Sequence, residues 1–215
     1  LSRLRIIRRT KDGNDFIAGG KGEDTLYTGN GKNVIAFNRS DGRDTLVTSA
    51  AAQNTLSLGG GISLNDLSLR HVDKDLVINL GRSDSMTLRD WYAGNANRNL
   101  VNLQIIHEAR DKHSTSLQAE QFDFRNLVAQ FDSATATQSL GSSWSVMKAR
   151  LDTHLDTDVD GHIAALGGDL SFDYAVNGSY NLSQSEAGNV LRNPAFGLVA
   201  QAHLQHADGS SYRAS

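Results

Sequence analysis

The chain of 215 residues sets 21 lysines and arginines against 24 aspartates and glutamates, a formal charge of -3 that argues against general nucleic-acid affinity. Hydrophobic residues are 39% of the chain and glycines number 20, so some stabilisation that a normal core would supply is expected from bound ions. The absence of cysteine removes disulfides and thiolate metal sites.

Arg3, Arg5, Arg8, Arg9 and Lys11, interleaved with Leu4 and Ile6, read as an edge strand of a truncated array rather than a recognition patch. A nine-residue beat follows. It places Gly13, Gly22 and Gly31 in one column, Asp15, Asp24 and Asn33 in a second, and Ile17, Leu26 and Ile35 in a third. After a two-residue slip it returns as Gly42, Asp44 and Leu46. Each unit divides into a tight loop and a short strand whose middle side chain points inward. Gly19, Gly20 and Gly22 allow turns that a Cβ would obstruct and leave carbonyls free to face a cation. In a two-sided stack, every second loop lies on the same side, which pairs Asp15 with Asn33 and Asp24 with Asp44. Calcium takes about six to eight hard oxygen ligands, which two stacked loops can deliver as carbonyls and carboxylates. The candidate metal residues are therefore Gly13, Asp15, Gly19, Gly20, Gly22, Asp24, Gly29, Gly31, Asn33, Gly42 and Asp44. Asn33 brings no charge, so the site it shares with Asp15 is expected to be the weaker.

From residue 52 to 107 the period changes to alternation. Thr55–Leu58, Leu67–Arg70, Asp75–Leu80, Ser85–Leu88 and Leu100–Ile106 read as strands, with turns at Gly59–Gly61, Val72–Lys74 and Gly81–Asp84. Trp91 and Tyr92 are the capping residues of this segment, Trp91 being expected to plug the open end of the stack rather than to stack on a sugar or dock on a membrane. The repeats, followed by Ile62–Leu67, Lys74–Leu80 and Ser85–Tyr92, resemble the C-terminal repeat block and capping segment of RTX (repeats-in-toxin) proteins of the adenylate cyclase toxin type, over about residues 10 to 131. The resemblance implies structural calcium, further repeats upstream as partners, and export by a type I secretion apparatus.

Further on, Leu117, Phe124, Leu127, Val128 and Phe131 predict a helix from about Ser116 to Asp132, and Trp144, Val146, Met147 and Leu151 a second short one. Asp156, Asp158, Asp160 and Gly161 copy the start of an EF-hand loop. Its twelfth position is Gly167 rather than glutamate, and Asp169 is the candidate substitute. Gly167–Asp169 is expected to orient a short segment bearing Phe172 and Tyr174. Ser183 and Glu186 have capping-box spacing for a helix through Leu191, ended by Pro194. The pattern closing on Ala195–Gly197 resembles the export-signal end of some RTX exoproteins, and 207–215 reads as a mobile tail.

The expected fold is mainly β: a short parallel β-roll over 1–51, a β-strand capping segment over 52–107, and a small helical or α+β region over 108–206. No zinc motif, nucleophile elbow or phosphate loop is present, so no enzyme activity is expected. Neither a long apolar span nor a cleavable signal peptide is visible, so export would use a C-terminal or otherwise non-classical signal. The leading expectation is a calcium-dependent folding and secretion module at the C-terminal end of an extracellular RTX protein, secreted or at the cell surface. The alternative is an adhesin-type module that binds glycan or protein through the Trp91–Tyr92 surface.

Overall fold

A three-residue strand buries too little to stand alone, and the chain answers this by stacking such strands in two places at once. The computed structural model describes residues 7–108, 117–136, 143–149, 154–155, 164–180, 182–194, 196–197 and 201–202. Strands β1 (Ile7–Arg9), β2 (Phe16–Ala18), β3 (Thr25–Tyr27), β4 (Gly31–Asn38), β5 (Arg43–Val47) and β6 (Ala52–Gly59) go alternately to two sheets. The odd-numbered strands pair in parallel in one sheet and the even-numbered strands in the other. Ile17 aligns with Ile35 and Leu56, and Leu26 with Leu46. All five are buried in one core that takes residues from both sheets. The two-residue slip is absorbed by the longer β4 and by the turn after it, where Ser40 adopts a left-handed φ of 73°.

Both sheets run on beyond the repeats. β7 (Leu67–Val72), β8 (Asp75–Leu80) and β9 (Ser85–Leu88) form an antiparallel meander, and β9 pairs in parallel with β5. β10 (Leu100–Glu108) lies parallel to β6, with β11 (Leu117–Asp123) antiparallel to it. Helix α1 (Phe124–Thr135) follows, then β12 (Trp144–Ser145) on β7, β13 (His154–Leu155) on β11, and the pair β14 (Ala164–Ala165) and β15 (Gln201–Ala202). The larger sheets have seven and six strands, in the orders β1-β3-β5-β9-β8-β7-β12 and β13-β11-β10-β6-β4-β2. Two further helices, α2 (Gly168–Asn177) and α3 (Gln184–Arg192), complete a mixed β/α architecture. Leu170, Val190 and Phe196 pack on Val34, whose side chain leaves β4 on the face opposite Ile35, so these helices cover the outer face of the six-stranded sheet. Among the described residues no helix is long and apolar enough to cross a membrane.

Four expectations meet the structure here. The helix anticipated from Ser116 begins only at Phe124, because Leu117–Asp123 pairs along β10 and Asp123 turns to cap the helix through the Asn126 amide at 3.0 Å. Phe124, Leu127, Val128 and Phe131 form the buried stripe of α1 as anticipated. Trp144, read as helical, lies in β12 opposite Leu69, and Val146–Ala149 turns as a 3-10 helix, while Leu151 lies outside the described residues. The capping box of Ser183 and Glu186 is present at the start of α3.

Trp91 is 2% exposed, with its ring edge-on to Phe124 at 5.7 Å. Tyr92 is half-buried, donates from its hydroxyl to Asp132 Oδ1 at 2.7 Å, and lies against His71 and Arg98. The pair therefore joins the meander to α1.

Close approach of stacked loops makes one glycine position sharply testable. A Cβ on Gly42, where φ is +111°, would stand 2.0 Å from the Gly22 carbonyl oxygen, whereas one on Gly61, at φ +77°, meets nothing within 4 Å. Gly42→Ala is expected to destabilise the chain by about 2 kcal/mol or more, and Gly61→Ala by about 1 kcal/mol, measured by urea unfolding in excess calcium.

Candidate calcium site

The loops between the short strands collect on two flanks of the stack, and the flanks differ in chemistry. On one flank the loop ending at Asp15 lies against the loop ending at Asn33. The Asp15 amide donates to Asn33 Oδ1 at 3.1 Å, and Asn33 Nδ2 donates onward to Asn54 Oδ1 at 3.1 Å. Beside this ladder, Asn30 Nδ2 donates to Asp12 Oδ1 at 2.7 Å, the Lys32 amide donates to Asn14 Oδ1 at 3.1 Å, and the Ser49 hydroxyl bonds to Asn30 Oδ1. Side-chain amides thus stitch this flank together. The pairing of Asp15 with Asn33 is as the period predicted, with hydrogen bonds linking the two residues.

On the other flank Asp24 and Asp44 come together. The Asp24 amide donates to Asp44 Oδ1 at 2.9 Å, while backbone bonds join Gly22 to Asp41 and Arg43, and Asp24 to Thr45. Asp24 is 1% and Asp44 2% exposed. Their second oxygens converge: a Cβ built on Gly19 would lie 2.8 Å from Asp24 Oδ2 and 2.9 Å from Asp44 Oδ2. Glycine at 19 therefore leaves open a small space lined by two buried carboxylates.

Two further acids stand near this pair that the nine-residue period did not single out. Asp41 is buried, and its Oδ2 accepts from the Asn38 amide at 2.8 Å and from the Tyr174 hydroxyl at 2.9 Å. Asp84, also buried, lies in the turn before β9. Its Oδ2 accepts from the Ser40 amide at 2.8 Å, while its Oδ1 is buried with no hydrogen-bond partner among the described residues. Burial, together with the charges of Asp24, Asp41 and Asp84, pushes the Asp44 carboxyl up to about 7, against the hydrogen bond from the Asp24 amide. Asp41 is likewise raised by burial and by Asp84, with the Asn38 amide, Tyr174 and Lys21 opposing. Asp15 is raised by burial, with the Thr10 hydroxyl opposing.

Carboxylates whose ionisation is opposed by burial fit a cation. Among the described residues no group of three or more His, Cys, Asp or Glu side chains is gathered as a metal centre, so the remaining oxygens would come from loop carbonyls, as hard calcium ligands can. Of the EF-hand-like run, Asp156, Asp158 and Asp160 lie outside the described residues. Asp169 is buried in the first turn of α2, and not in an irregular loop.

Residues 9–46 match the family of RTX calcium-binding nonapeptide repeats in four copies. That family is structural rather than catalytic, and its ion is calcium. No curated protein matches the chain. The match corrects one expectation. The repeats lie near the N-terminal end of the chain and the match stops at Leu46, so it does not extend to the strands and helices that carried the likeness to a C-terminal repeat block with its capping segment.

Proposed function

We propose that this chain is a calcium-dependent folding module of an extracellular RTX-type protein, with residues 9–46 forming a short parallel β-roll. The observation that carries the reading is the meeting of the Asp24 and Asp44 carboxylates beside Gly19, inside the matched repeats. Asp24, Asp44 and the carbonyls of the loops containing Gly19, Gly20, Gly22 and Gly42 would hold the ion. Calcium would supply the positive charge that offsets the burial of the two carboxylates. Asp15, Gly13, Gly29, Gly31 and Asn33 would form a weaker position, because amide bonds already occupy that flank.

The biological reading follows from the energetics. Without the ion, two buried like charges oppose closure of the loops, which favours an open chain where calcium is scarce. Meeting calcium outside the cell would draw the loops shut. That behaviour suits export by a type I secretion apparatus, with further repeats of a longer protein as partners and a secreted or cell-surface destination. The alternative, glycan or protein binding through Trp91 and Tyr92, loses support from the burial of the indole and the internal bonding of the phenol.

Calcium titration followed by circular dichroism and calorimetry tests the proposal. Added calcium is expected to raise ordered structure and Tm, and Asp24→Ala to weaken the midpoint about tenfold or more. Folding that is complete in chelator and indifferent to calcium would sink it.

A pH series separates ion from proton. Asp44 has a folded value of about 7 against an ordinary 3.8, so the folded chain binds this proton more tightly than the unfolded chain. Its contribution to stability is full below 3.8 and is lost as pH rises through about 7. In chelator, Tm is expected to fall from pH 5 to pH 8 in wild type and to fall less in Asp44→Asn. With saturating calcium the trend should reverse, since the ion needs the deprotonated form.

A further inference from the structure

Helix α2 reaches from the far end of the sequence into the carboxylate flank. Tyr174 is 3% exposed, and its hydroxyl, 133 residues away from Asp41 in sequence, donates to Asp41 Oδ2 at 2.9 Å. The Tyr174 side chain also lines one cavity with Gly19 and Gly20. Gly20 belongs to the loop that ends in Asp24, and Asp41 to the loop that ends in Asp44. One side chain therefore bonds to the loop carrying Asp41 and shares a cavity wall with the loop carrying Gly20, the two loops whose carboxylates meet beside Gly19.

The surroundings hold that oxygen in place. Asn38 Nδ2 donates to the Tyr174 carbonyl at 2.5 Å, and the Gly60 amide donates to the Ala175 carbonyl at 2.9 Å. Gly59 admits the helix closely, since a Cβ there would stand 2.4 Å from the Ala175 Cβ. The Tyr174 ring meets Phe16 of β2 edge-on at 6.4 Å. Tyr174 and Phe16 both line a cavity of about 490 Å³, together with Gly19, Gly20 and Tyr180 among others. The ring is thus anchored through β2, the helix backbone through the β4 and β6 ends, and the hydroxyl is left to hold Asp41.

We infer that Tyr174 is a positioning residue for the calcium loops, and that it couples docking of α2 to ion binding. This inference rests on the calcium reading above. Closing the loops around an ion brings the Asp41 carboxylate to the Tyr174 hydroxyl. A docked helix presents that hydroxyl in advance and lowers the cost of closure. The coupling is reciprocal by linkage: calcium must tighten the helix to the extent that the helix tightens calcium.

The test uses the full chain. Isothermal calorimetry with calcium is compared for wild type and Tyr174→Phe, which keeps the ring packed on Phe16. Loss of one net hydrogen bond predicts about three- to tenfold weaker calcium binding. In the Asp41→Ala background, where the hydroxyl has lost its acceptor, the same substitution should change affinity less than about twofold. Hydrogen exchange of residues 168–177 should slow when calcium is added to wild type, and slow less in Tyr174→Phe. A merely structural tyrosine would lower stability in chelator while leaving the calcium affinity and this exchange response untouched, and that result would overturn the inference. Equal or tighter calcium binding by Tyr174→Phe would also overturn it, leaving the folding module intact. Failure of wild type to bind calcium would remove both.

Discussion

Two carboxylates, buried side by side between stacked loops, set the terms for the rest of this molecule. Water screens such a pair at a surface, but Asp24 and Asp44 have almost no contact with it. The fold cannot separate them, because the parallel register of β3 and β5 carries the loops into alignment. Only a proton or a cation relieves the repulsion, and the rise of the Asp44 carboxyl to about 7 is the protonic version of that relief. A calcium ion, as proposed for this pair, would replace it with a stronger and oxygen-specific one.

Further bracing of the loops is drawn from outside the repeats. Asp84 comes from the turn before β9 and holds the Ser40 amide. Arg39 holds the Gly61 carbonyl and Asp66. Tyr174 arrives on α2. The small repeat units contribute one aliphatic side chain per strand to the core, and the following strands add Leu58, Leu69, Ile78, Met86 and Trp91 to the same cluster. The cation-demanding flank is therefore mounted on an apolar body that the repeats alone could not assemble.

The local features were legible in sequence because their causes are local. A column of glycines, acids and aliphatic residues at one period gave the strands containing Ile17, Leu26 and Leu46 and the partners Asp15 with Asn33 and Asp24 with Asp44. The capping box at Ser183 is a three-residue pattern and was equally plain. Leu117–Asp123 was misread because its strand character comes from β10, while its own apolar spacing merges with that of α1. Asp41, Asp84 and Tyr174 carry no periodic mark at all. A turn aspartate before a strand and a buried tyrosine on a helix are common, and only the tertiary placement brings them to one corner.

The amide ladder of Asp15, Asn33 and Asn54 has an opposite character to the acid pair. Its bonds join neutral donors to neutral amide oxygens. One flank is in effect a sewn seam and the other a clasp. The seam is joined by hydrogen bonds already made, whereas the clasp leaves two buried carboxylates for a proton or a cation to satisfy.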